Sequence, residues 1–194
     1  MAAFEQAAAA APDNPEYHLN LARAYARAGR YDNAMRSLGD YLHVETDEEL
    51  AARYERMFSS AFDHVEERLV AGSELLDLPV QLTGKAIQMW LEYRLTLGRE
   101  RLVETRPAAW AAALVQAVNT ANLSKMPRKQ VAAVFEVSEQ ALAERFNALE
   151  TTLDLIPADY RYFIGEENPL DKLVEAAKLL DQEDRAGNND QTTV

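Results

Sequence analysis

Cysteine is absent from the 194 residues. This removes disulfides, thiol nucleophiles and thiolate metal sites, and it fits a reducing compartment. Histidine is almost as scarce, with His18, His43 and His64 alone. No two of them stand four residues apart on one helix, so no metal site is expected. The chain also lacks a Gly-rich phosphate loop and a nucleophile elbow. The acidic run Glu45, Asp47, Glu48, Glu49 lacks the alternating ligands and the glycine of a calcium loop, and suits the positive end of a helix instead. Adjacent carboxylates such as Glu166-Glu167 seldom converge on one substrate. With no pattern for a cofactor either, the sequence reads as that of a non-enzyme.

Basic charge is short as well: 20 Lys and Arg face 32 Asp and Glu, for a net charge of −12. Residues 1–71 hold 7 basic against 13 acidic side chains, residues 72–155 hold 9 against 10, and residues 156–194 hold 4 against 9. Such a chain repels phosphate backbones and anionic membranes, so any nucleic-acid contact belongs in the near-neutral middle. Met1–Ala11 has no basic start and carries Glu5, unlike a secretory signal. Pro107–Ser124 is uncharged, but Gln116, Asn119, Thr120 and Asn122 make it too polar for hydrocarbon. It reads as a helix buried in protein, and the expected location is cytoplasmic.

What is present is helical periodicity throughout. With only seven Gly and seven Pro, long elements are expected, and the fold class is all-α. Asn14-Pro15 opens a helix that Gly29 ends, and a second runs from Asp32 to Leu42. A third, Asp47–Val70, is expected from the stripe Leu50, Tyr54, Met57, Phe58, Ala61, Phe62, Val65 and Leu69. Gly72–Leu82, with Pro79, is the expected boundary. Beyond it come Thr83–Leu97, a helix from Pro107, a short one from Pro127 to about Phe135, and one capped by Ser138 that carries Leu142, Phe146, Leu149 and Leu153. Asn168-Pro169 signals a last helix with Leu170, Leu173, Val174, Ala177 and Leu180 on one face. The expected division is 1–71, 72–184 and a disordered tail, 185–194.

An offset of 34 residues maps Phe4, Ala7 and Pro12 onto Leu38, Tyr41 and Thr46. Between them stand Leu21-Ala22, Tyr25, Gly29, Tyr31-Asp32 and Ala34. Small Ala22, Gly29 and Ala34 would let two antiparallel helices approach, while Leu21, Tyr25 and Leu38 fill the gap. Over residues 1–42 this resembles the tetratricopeptide repeat family. It departs in His18 for the usual Trp, Tyr41 at a small-residue position and Thr46 for a closing Pro, changes that suit a terminal repeat. About three repeats are normally needed for stability, so the resemblance implies a fragment of a longer array, with residues 47–70 as its capping helix. It also implies a protein-docking adaptor whose first helix lines a concave face with Glu16, Leu19, Asn20, Arg23, Ala26 and Arg27. Asn20, Arg23 and Arg27 would bind an acidic peptide or a terminal carboxylate.

In the rear, Gln130–Leu142 has helix-turn-helix spacing: Ala132 faces the second helix, Val137 plugs the corner, Ser138 caps and Leu142 anchors. Glu136 stands at the turn, where Gly is usual. The segment 82–155 resembles cyclin-box-type helical domains. Pro107-Ala108-Ala109-Trp110-Ala111-Ala112-Ala113-Leu114 is similar to the hallmark of a family of uncharacterised bacterial domains, a likeness that implies a fold rather than a role. The architecture expected is therefore tetratricopeptide-like hairpins followed by a cyclin-box-like or helix-turn-helix-like bundle. The alternative function is a DNA-associated transcriptional regulator. Gln140 and Arg145 would then read bases while Lys125, Arg128 and Lys129 hold phosphate. Against it, residues 124–147 sum to only +1.

Overall fold

The structure, a computed structural model, describes residues 1–55, 63–98 and 106–165. Among the described residues there are nine α-helices and no strand. The first three helices are α1 (Ala2–Ala10), α2 (Pro15–Arg27) and α3 (Tyr31–Val44). The Asn14 side chain accepts from Glu16 N at 3.0 Å and Pro15 opens the first turn of α2, as the sequence pattern requires. Gly29 closes α2 at φ +70°, with Arg30 N donating back to Tyr25 O at 2.9 Å. That glycine serves the turn, not a close approach, because a Cβ there would meet nothing within 4 Å.

Ala22 and Ala34 do bring α2 and α3 together, and both are completely buried. Leu19, Leu38, Tyr41 and Tyr54 belong to the same front cluster. Tyr41 and Tyr54 meet edge to face at 5.2 Å, which is how a large ring takes a small-residue position. His18 packs inside the repeat, its Nε2 2.7 Å from Pro12 O. Phe4, the counterpart of fully buried Leu38, is 44% exposed.

The expected single helix Asp47–Val70 is two described helices, α4 (Glu48–Glu55) and α5 (His64–Leu75). Asp47 starts α4, accepting from Glu49 N and Leu50 N. Asp63 stands in extended conformation (φ −74°, ψ 171°) and forms a reciprocal capping box with Glu66. A residue that accepts from the next helix's free N–H groups cannot continue the one before it. Met57–Phe62 lie outside the described residues. The break also sorts the packing, since Tyr54 belongs to the front cluster while Val65 and Leu69 belong to the rear one. Hence α5, expected to cap the front, is part of the rear core. Gly72, expected at a boundary, lies within α5 where a Cβ would run into the Phe135 ring.

The rear adds α6 (Val80–Leu97), α7 (Pro107–Ala121), α8 (Arg128–Val134) and α9 (Glu139–Leu153). The alanines of α7 are the reason it sits in the middle. Ala109, Ala111, Ala112, Ala113 and Ala117 are almost wholly buried, and α5, α6, α8 and α9 all pack on it. Trp110 of α7 lies 5.5 Å from Trp90 and 5.0 Å from Tyr93 of α6. The expected last helix, the pair Glu166-Glu167 and the tail 185–194 lie outside the described residues. No helix among the described residues is long and apolar enough to cross a membrane.

Truncating a side chain locked into the front hairpin leaves a cavity, so Leu38→Ala is expected to cost ~2–5 kcal/mol. Enlarging the small contact, Ala34→Leu, is expected to cost ~1–3 kcal/mol by overpacking. Urea denaturation of both variants checks the pair; losses near zero would mean that these helices do not interlock.

Candidate protein-docking face

On α2, positions i, i+3 and i+7 share a side of the helix, so Asn20, Arg23 and Arg27 form one ridge. The structure brings the three to one side and also covers that side. Arg23 Nη1 donates to Asn20 Oδ1 at 2.9 Å, and Arg23 Nε donates to Leu95 O at 2.7 Å, in the last turn of α6. Tyr54 Oη donates to Gly98 O at 2.8 Å, just past the same turn. Leu95 itself is fully buried in the front cluster. Arg27 Nη2 donates to Asp154 Oδ2 at 3.0 Å, and its Nε lies 4.0 Å from Glu92 Oε1. Of the other expected lining residues, Leu19 and Ala26 are buried and Glu16 is half-buried. The face expected to stand open is therefore met by the chain's own α6, because Leu95 supplies apolar cover and the helix end supplies an acceptor for Arg23, while Asp154 takes Arg27.

Beside this contact lies a charge network that periodicity does not announce. Glu92 has a side chain only 1% exposed. Its Oε1 accepts from Arg161 Nη1 at 2.7 Å, and its Oε2 accepts from Tyr162 Oη at 2.6 Å. Arg161 also donates to Asp159 and, at 2.8 Å, to Leu153 O at the end of α9, where a cation suits the helix dipole. Burial alone would ease the proton off Arg161, but hydrogen-bonded Asp159, with Tyr162 and Glu92, holds its pKa above the usual value. Burial and the Glu92 charge push Tyr162 up, and they raise Tyr31 to about 12 against the opposing pull of Arg161. Every strong group here is spent on another, so the network joins elements rather than presenting a reactive atom.

A second hub is Asp63. Its Oδ2 accepts from Trp90 Nε1 at 2.8 Å and Arg94 Nη1 at 2.9 Å, and Arg94 Nη2 donates to Glu66 Oε1 at 3.0 Å. The motif Asp63-x-x-Glu66 was the available signal. Among the described residues no three His, Asp or Glu side chains converge as metal ligands would.

In the rear, Ala132 and Leu142 are buried and Ser138 Oγ accepts from Ala141 N at 3.1 Å. Glu136 takes the left-handed turn at φ +55° despite its side chain. Of the residues expected to meet DNA, three have partners within the chain. Gln140 Nε2 donates to Glu144 Oε1 at 3.2 Å, Arg145 lies over the Trp110 ring at 5.1 Å, and Arg128 lies over Phe146 at 5.8 Å. Lys125 and Lys129 are exposed.

Fold and packing thus define an all-helical protein with hairpins in front and a bundle behind. A family model described as tetratricopeptide repeat matches residues 1–54, so the front carries a repeat of that type, extending past the expected limit at Leu42 into α4. No curated protein and no solved structure matches the chain.

Arg161→Ala would strand the buried Glu92 carboxylate and is expected to cost ~3–5 kcal/mol; a loss under ~1 kcal/mol in thermal unfolding would contradict the network. Tyr31 binds its proton more tightly folded than unfolded, so its contribution is intact below about pH 10 and lost as pH rises toward about 12. The melting temperature of Tyr31→Phe should therefore fall less steeply than that of the parent across this window. Equal slopes would reject the linkage.

Proposed function

We propose that the chain is a non-enzymatic adaptor that binds another protein through its front hairpins, while the rear bundle holds a second partner or the same assembly. The repeat matched over residues 1–54 is the observation that carries this reading. Repeats of this type cannot bury their faces alone and work by stacking against other segments. Asn20, Arg23 and Arg27 are the residues proposed to contact the partner, since guanidinium groups in a row suit an acidic segment. The strongly acidic composition, −12, argues for protein over nucleic-acid or lipid partners. A cytoplasmic location is part of the same proposal, supported by the absence of cysteine.

For the rear, we propose the cyclin-box-like or helix-turn-helix-like identity on the strength of the Ser138 cap and the Ala132–Leu142 packing. We place the division between the units between Tyr54 and Val65, following the two apolar clusters. The DNA-regulator reading has weaker support, because residues 124–147 sum to only +1 in a chain of net charge −12, which repels phosphate backbones.

Affinity capture from lysate on the intact chain tests the adaptor, with the Arg23→Ala/Arg27→Ala double variant as comparison. A co-purifying protein bound about tenfold less well by the double variant is expected, as for an interface centred on arginine. Recovery of nothing, or of a protein indifferent to both substitutions, would overturn the reading.

A further inference from the structure

The α2 face is filled, and its occupant has the chemistry of a ligand. Leu95, the only α6 residue buried in the front cluster, enters it with Leu91 packed alongside. The carbonyls at the end of a helix have no intrahelical donors. Here Arg23 Nε supplies one to Leu95 O, besides the Gly98 amide, and Tyr54 Oη supplies one to Gly98 O. Gly98 has φ +57° and no side chain, and the Arg23 guanidinium lies where a Cβ would stand. Farther along, the Arg27 side chain is 47% exposed and holds the carboxylate of Asp154, itself 80% exposed. The face therefore offers a leucine socket, a cation on backbone carbonyls and a second cation on a carboxylate at the water's edge.

We propose that this face is a docking site for a leucine-bearing acidic segment of another protein, and that the last turn of α6 competes for it from within the same chain. The inference rests on the adaptor reading above and adds its regulation. What fills the face in cis, one leucine and a helix-end carbonyl from α6 and the Asp154 carboxylate from the end of α9, defines what a competitor must bring. The hold is of a kind that can be released. Only one leucine of α6 is buried in the front, and the neighbouring Arg27–Asp154 pair, made with the residue that ends α9, is exposed to water and contributes little. When a site is open only part of the time, its apparent affinity falls by the open fraction. Loosening α6 must then tighten binding of an external segment without any new contact.

Fluorescence anisotropy of a fluorescein-labelled peptide, Asp-Glu-Leu-Glu-Asp-Leu-Glu, against the full chain tests this. Tyr54→Phe removes the hydrogen bond to Gly98 and keeps the ring; Leu95→Ala removes the plug. Each is expected to bind the peptide about tenfold more tightly than the parent, and adding Arg23→Ala to either should abolish the gain. Circular dichroism confirms the fold, and Tyr54→Phe remains informative if Leu95→Ala unfolds. Affinities equal to the parent's, a gain that survives Arg23→Ala, or no binding by a folded Tyr54→Phe would each overturn the proposal. The capture experiment can still succeed in those cases, so failure of the gate is distinguishable from failure of the adaptor reading.

Discussion

Helix α6 is a member of two cores at once, and the buried carboxylate between them sets how it lies. Met89 and Trp90 belong to the rear cluster, and Leu95, within two turns of them, belongs to the front. Glu92 stands between. Taking a carboxylate out of water costs several kcal/mol unless its acceptor sites are filled by well-placed donors. Arg161 and Tyr162 fill them, and both come from the loop after α9. Asp159 neutralises what remains of the Arg161 charge. The donors have fixed directions, so the network pins the rotation of α6 about its axis. That rotation turns Leu95 toward α2, and Arg23 of α2 donates to its carbonyl.

The front gains most from this arrangement. Among the described residues its cluster includes Leu95 from α6. Short repeat arrays generally need stacked neighbours to persist. A helix of the rear bundle takes the place of a neighbour here. Tyr54 shows how closely the two are joined: its ring packs in the front cluster while its hydroxyl reaches Gly98. The same contact that completes the hairpins also fills the face proposed to meet another protein.

The parts legible in the sequence were those governed by local rules. Asn14-Pro15, Gly29 and Ser138 mark helix ends through backbone chemistry that acts over a few residues, and the structure has all three at ends. The small residues Ala22 and Ala34, and the alanine run of α7, disclose close packing because nothing larger would fit. The break at Asp63 was obscured because its apolar neighbours happen to keep helical spacing on both sides. The capping box was written in Asp63-x-x-Glu66, yet a continuous stripe is the stronger visual pattern. The cover over α2 could not be read at all. Asn20, Arg23 and Arg27 have the spacing of a solvated ridge, and their partners Leu95 and Asp154 lie 72 and 127 residues away. Periodicity says which side of a helix is polar and nothing about what meets it.

Backbone strain singles out the same contact by an independent route. Asp77, Arg106, Leu123, Glu136, Asp154 and Ala158 all take left-handed conformations without glycine, at about 1–2 kcal/mol each. Glu136 shows that a turn alone does not force a glycine in this chain. Gly98 is different, because a Cβ there would displace the Arg23 guanidinium from its present place. Its positive φ ends α6, and the missing Cβ leaves room for the Arg23 guanidinium against that end. Gly98 thus serves both a helix end and a contact between the two units, whereas Gly29 serves its turn alone.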